Sequence, residues 1–146
     1  LSKDDLSLDE FKVKILSFTE KAKRSYEQVK IKIEDQTRQE YQLNAVQSLN
    51  LFRIIQEAVN NALKYSGSDR IEIFFEQTDE RSLKLSVQDF GSGFCMKDIV
   101  SGNGIRNMKS RAIETDSTIS FHSENGTKIT IITNVFPLDY QDILNL

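Results

Sequence analysis

Residues 51–68, LFRIIQEAVNNALKYSGS, constrain the fold more than any other stretch, because they read as one helix whose two faces make different demands. At roughly 100° per residue, Leu51, Ile54, Ile55, Ala58 and Ala62 gather on one side and require a core. Arg53, Gln56, Glu57, Asn60, Asn61 and Lys64 gather on the other. A solvated helix face is ordinarily filled with good helix formers. Two adjacent asparagines in mid-helix are not, since their short amides compete for backbone hydrogen bonds. Glu57, Asn61 and Lys64, at i, i+4 and i+7, therefore read as the lining of a site for a metal-bound polyphosphate.

The 146 residues suit one domain with a core of useful size. A formal charge of -3 gives no electrostatic reason to expect nucleic acid or an anionic membrane surface as partner. One cysteine, Cys95, excludes an internal disulfide framework and fits a reducing compartment. No apolar run approaches the roughly 20 residues of a membrane span, and the first residues lack the pattern of a signal peptide. A cytoplasmic segment is expected, and its start at Leu1 rather than Met reads as a piece of a longer polypeptide that carries any membrane anchor elsewhere.

In chain order, residues 7–10 read S-x-x-E, a capping box that opens a helix reaching about Gln28. Its apolar positions, Leu8, Phe11, Ile15, Phe18 and Ala22, step by three and four, so the seam fits either a partner helix in a dimer or the helix's own domain. Residues 29–35 alternate as a strand with Val29, Ile31 and Ile33 inward, and QTRQEYQLNAVQ follows as a polar connection. Beyond the central helix, which glycine closes at Ser66 and Gly67, Ile71, Ile73 and Phe75 alternate in one strand and Leu83, Leu85 and Val87 in the next, a hairpin turning at TDER. Asp89 continues the inward phase of Leu83, Leu85 and Val87, and a carboxylate at the rim of a core needs a donor. GSGF then permits a tight turn, and residues 95–102 read as a loop. Residues 103–112 form a second helix whose start, SGNGI, offers backbone N–H groups to an anion. A last hairpin puts Ile119 and Phe121 opposite Ile129 and Ile131, with Thr127 in the inward phase, and Pro137 ends the strand.

QEAVNNALKYS, DFGSGF, SGNGIRNMKSRA and NGTKITI, in this order and at these separations, resemble the ATP-binding domain of sensor histidine kinases. The likeness is nearest to the branch that partners response regulators with helix-turn-helix output domains. It implies an α/β fold, a two-layer Bergerat-type sandwich with a mixed, mostly antiparallel sheet and helices on one face. It also implies residues 1–28 as the end of a dimerisation helix, 29–137 as the ATP-binding domain and 138–146 as a tail. By resemblance, Asn61 coordinates Mg²⁺, Lys64 contacts phosphate, Tyr65 lies beside the nucleotide, and Glu57 polarises or deprotonates the attacking group. Asp89 accepts from the adenine amine, Gly91 and Gly93 make room for the ring, Gly102 and Gly104 bring the second helix to the phosphates, and Thr127 closes the adenine pocket.

The implied partners are a phosphoacceptor hairpin upstream in the same protein, a response regulator and, for the whole polypeptide, a second copy in a homodimer. The only histidine, His122, falls out of phase with Ile119 and Phe121 and reads as a solvated strand residue rather than the acceptor. The glycine usual after the second helix is replaced around Asp116 and Ser117. Two other readings keep part of the pattern: a related domain acting as a serine kinase of the anti-sigma type or as an ATPase, and a nucleotide-sensing interaction module.

Overall fold

A computed structural model of the chain describes residues 4–91, 103–137 and 144. The chain enters through β1 (Leu6–Ser7) and α1 (Leu8–Ala22), which ends in a 3-10 turn at Lys23–Ser25. β2 (Lys30–Asp35), β3 (Tyr41–Leu43) and α2 (Ala45–Asn61) follow, and α2 continues as a π-helical turn over Ala62–Ser66. β4 (Arg70–Asp79), β5 (Ser82–Asp89), α3 (Gly104–Glu114), β6 (Thr118–Ser123), β7 (Thr127–Asn134) and β8 (Phe136–Pro137) complete it.

The main sheet has the order β2-β4-β5-β7-β6, with β2 and β4 parallel and the other neighbours antiparallel. A parallel pair needs a crossover, and α2 supplies it. Because side chains alternate along each strand, register makes apolar rows across the sheet. Ile33, Ile73, Val87, Ile129 and Phe121 form one such row through all five strands. That face joins Phe11 and Ile15 of α1, Ile54 and Ile55 of α2, and Met108 of α3 in a single buried cluster. The opposite phase is polar, as in the cross-strand pair Glu76 and Lys84, 3.8 Å apart. The expected two-layer α/β sandwich is the fold observed.

Three local expectations are corrected. The polar connection between the first strand and the central helix contains β3, whose Tyr41 and Leu43 are fully buried, and the helix begins at Ala45, six residues earlier than residue 51. Asn44 caps it: its side chain accepts from the Gln47 N–H at 2.8 Å, and Gln47 Oε1 accepts from the Asn44 N–H at 3.2 Å. Pro137 does not simply end the last strand. β7 stops at Asn134, and Phe136–Pro137 pairs with β3, so that β1, β3 and β8 make a second, three-stranded sheet. Proline is tolerated there because β8 is an edge.

The first helix has the expected capping box at Ser7 and Glu10 but ends at Ala22, not near Gln28. Its seam is consumed within the domain: Leu8, Phe11 and Ile15 are buried, and Phe18 packs edge-on against Phe52 at 6.0 Å. The apolar residues it leaves outside are Val13 and Leu16.

Candidate nucleotide site

The site is built where the end of α2 meets the start of α3. Asn61, the last residue of α2, is 8% exposed, and its Nδ2 has no hydrogen-bond partner among the described residues. An unsatisfied buried amide costs roughly 1–3 kcal/mol, so this group is arranged for something other than the fold. Glu57, one turn earlier on the same face, is half-buried. Gly104 opens α3 directly against both: a Cβ on it would stand 2.5 Å from Glu57 Oε1 and 3.5 Å from Asn61 Nδ2. The missing side chain lets the main chain at this helix N-terminus come up to the carboxylate and the amide.

The other end of the site is set by the sheet. Asp89 stands in register with Ile71, which is itself in register with Ile31, so a carboxyl occupies a place in an otherwise apolar row. It is 2% exposed and accepts from the N–H groups of Gly91 and Thr127, each at 3.2 Å to Oδ1. Burial pushes its pKa above the ordinary carboxylate range, while those two N–H groups pull it the other way. Thr127 is 3% exposed and its hydroxyl has no hydrogen-bond partner among the described residues, a second orphaned polar atom, here beside Asp89. Gly91 is forced by packing: a Cβ there would collide with the main-chain oxygen of Ser66, where α2 ends.

The structure brings these residues together in two clusters, Glu57 with Asn61 and Gly104, and Asp89 with Gly91 and Thr127. Lys64 and Tyr65 follow in the π-helical turn. The π-helical turn departs from 3.6 residues per turn just after Asn61, so the i+7 step no longer carries Lys64 onto the face of Glu57. Both side chains are exposed, Tyr65 at 59%. Gly93 and Gly102 lie outside the described residues, as do Cys95 and most of the loop that contains it. His122 is exposed, with Nε2 3.3 Å from Glu124 Oε2.

Two supporting groups escape the sequence reading. Ser68 Oγ donates to the Arg70 carbonyl at 2.6 Å and accepts from the Phe90 N–H at 3.0 Å, tying the strand end that carries Asp89 to the exit of α2. Arg111 of α3 donates to Asn50 of α2 at 3.1 Å. Neither has a sequence signal, since a serine after a helix and an arginine on an amphipathic face are commonplace.

The family of histidine kinase-, DNA gyrase B- and HSP90-like ATPases matches residues 46–138, more than half of the chain. The chain belongs to this ATPase family. Among curated relatives of this ATPase domain, the sensor protein VraS of Staphylococcus haemolyticus is 35% identical over 97 residues, and that of Staphylococcus saprophyticus 36% identical over 96. Each match takes in 64% of this chain and 26% of the relative, so the chain spans about a quarter of their length. Solved structures share the ATPase fold at lower identity. The mycobacterial sensor histidine kinase MprB gives a TM-score of 0.72 at 19% identity, over 92% of this chain and 98% of that one. The catalytic domain of histidine kinase ThkA gives 0.73 at 16%, over 94% and 100%. Among the described residues no helix is long and apolar enough to cross a membrane.

Proposed function

We propose that this domain binds Mg·ATP and passes the γ-phosphoryl group to a histidine on a helical hairpin upstream in the whole polypeptide, for relay to a response regulator. The observation that carries the reading is the orphaned, buried amide of Asn61 facing Gly104 beside Glu57, with the buried carboxyl of Asp89 at the other end. The amide offers an oxygen of the kind a hard cation takes and an N–H of the kind a phosphate takes. Mg²⁺, when bound, neutralises charge on the polyphosphate. Glu57 takes the proton of the attacking imidazole as its nitrogen–phosphorus bond forms and the γ-phosphoryl leaves ADP. Asp89 accepts from the adenine amine, with Thr127 beside it, and the glycines at 91, 93, 102 and 104 allow the backbone to close on the ligand. Lys64 and Tyr65 serve as outer contacts to the nucleotide. Residues 1–28 carry the chain from the hairpin into the domain, whose core takes in α1, 29–137 hold the nucleotide and 138–146 form a tail, with the whole polypeptide acting as a homodimer.

Calorimetry of Mg·ADP on the purified chain tests the site. Asn61→Ala is expected to lose the Mg²⁺-dependent part of the affinity with the fold kept, and Asp89→Asn to lose most of the binding. Absence of Mg²⁺-dependent binding, or unchanged binding by Asp89→Asn, would sink the assignment. In the longer polypeptide, labelled phosphate on an acid-labile product identifies histidine, and an acid-stable product would point instead to serine.

A further inference from the structure

We infer that Arg111 is a positioning residue for the nucleotide site, acting by fixing how far α3 slides along α2; the inference rests on the nucleotide reading above. Asn50, Glu57 and Asn61 stand seven and eleven residues apart, which brings Glu57 and Asn61 within about 20° of the direction of Asn50. They form one stripe along α2. α3 lies antiparallel on that stripe, with Gly104 against Glu57 and Asn61 and Arg111 against Asn50. Gly104 and Arg111 are also seven residues apart, so the step from Gly104 to Arg111 on α3 and that from Glu57 to Asn50 on α2 are each about 10 Å. The spacings match, and the helices are pinned at two points.

The remote pin joins a buried amide to a half-buried guanidinium. Asn50 is 3% exposed; its Nδ2 donates to the Val46 carbonyl at 3.0 Å, and its Oδ1 receives Arg111 Nη1 at 3.1 Å. Between the pins α3 buries Ile105 and Met108, apolar side chains whose contacts are non-directional and resist sliding poorly. A polar cavity of about 300 Å³, lined in part by Arg53, Asn60 and Asn107, runs beside the seam, so no close-packed wall fixes the register on that side. A one-residue slip moves α3 by about 1.5 Å, enough to spoil the approach of Gly104 to the carboxylate and amide.

The test measures Mg·ADP affinity and amide exchange of residues 104–108 in Arg111→Ala, Asn50→Ala, the double variant and Arg111→Lys, with Asn61→Ala alongside. Each alanine variant is expected to weaken binding about tenfold and to speed exchange in the nucleotide-free chain, the double variant to be no weaker than the worse single one, and Arg111→Lys to recover most of the loss. Affinity within twofold of the parent in Arg111→Ala, or losses that multiply in the double variant, would overturn the inference. If Asn61→Ala binds normally while the Arg111 and Asn50 variants exchange faster, the site assignment falls and the pin stands. If Asn61→Ala abolishes binding and Arg111→Ala changes neither quantity, the pin falls alone.

Discussion

Asp89 shows how far a single residue can be read from alternation. Its phase with Leu83, Leu85 and Val87 places it inward, and it is buried as those residues are. What alternation does not give is its partners, since Gly91 and Thr127 reach it from a turn and from another strand. Its pKa is raised by burial, so the folded chain holds the proton at pH values where the unfolded chain has released it. Stability of the nucleotide-free domain therefore falls as pH rises from the ordinary carboxylate range through the folded pKa, and the penalty is complete above it. Asp89→Asn keeps an acceptor for both N–H groups and carries no charge. It is expected to melt higher than the parent at neutral pH without nucleotide, with the gap closing as pH falls toward the carboxylate range. Thermal melts across that range check this, and an Asn variant less stable at neutral pH contradicts it. Lys64 marks the opposite case, because its placement from spacing assumed a regular helix and the π-helical turn broke that assumption.

Among the elements, those with a strong apolar period were legible and those held by buried polar groups were not. The start of α2 is an example: Gln47, Ser48 and Asn50 look like loop residues but are buried, and Gln47 Nε2 donates to Thr133 Oγ1 at 2.9 Å and to the Asn134 carbonyl at 2.7 Å. β3 is only three residues long, too short for a period to show. The end of α3 is better described by chemistry than by pattern. Ser117 N–H donates to the Ala112 carbonyl at 2.9 Å and Asp116 N–H to that of Ile113 at 3.1 Å, the bonding of a Schellman cap, with Asp116 at φ +52° where glycine is favoured. The missing glycine was visible in the sequence, and the cap forms regardless. A non-glycine residue in this region costs about 1–2 kcal/mol, partly offset by the looser unfolded chain that glycine brings. Asp116→Gly is expected to stabilise the domain by about 0.5–1 kcal/mol in urea unfolding, with nucleotide affinity unchanged. A destabilised variant would show that the Asp116 side chain contributes more than its strain.

For the whole molecule, the ambiguity in the sequence lay in α1, whose stepping of apolar residues suits a partner helix and a core equally well. The structure seats Phe11 edge-on against Phe75 of β4 at 6.3 Å and leaves Val13 and Leu16 at 65% and 50% exposure. Lys12 pairs with Asp35 at the end of β2 and lies 3.0 Å from Asp9, which anchors the helix to the sheet edge. Phe11→Ala is expected to cost about 3–5 kcal/mol of unfolding free energy, as for a buried aromatic, whereas Val13→Ala stays within about 0.5 kcal/mol. Equal, small effects in urea titrations would mean that α1 is an appendage rather than part of the core.

The three-stranded sheet has a consequence for how such a domain sits in a longer polypeptide. β1 and β8 flank β3, so the strand that brings the chain in at Leu6 and the strand that takes it out at Pro137 are two strand spacings apart across the sheet, roughly 10 Å. Both run antiparallel to β3 and so parallel to each other, which puts the entry at the Leu43 end of β3 and the exit at the Tyr41 end. A pull on the two ends therefore acts along the strands of the small sheet and loads it in shear, while the five-stranded one, which carries Asp89, lies outside the line of force.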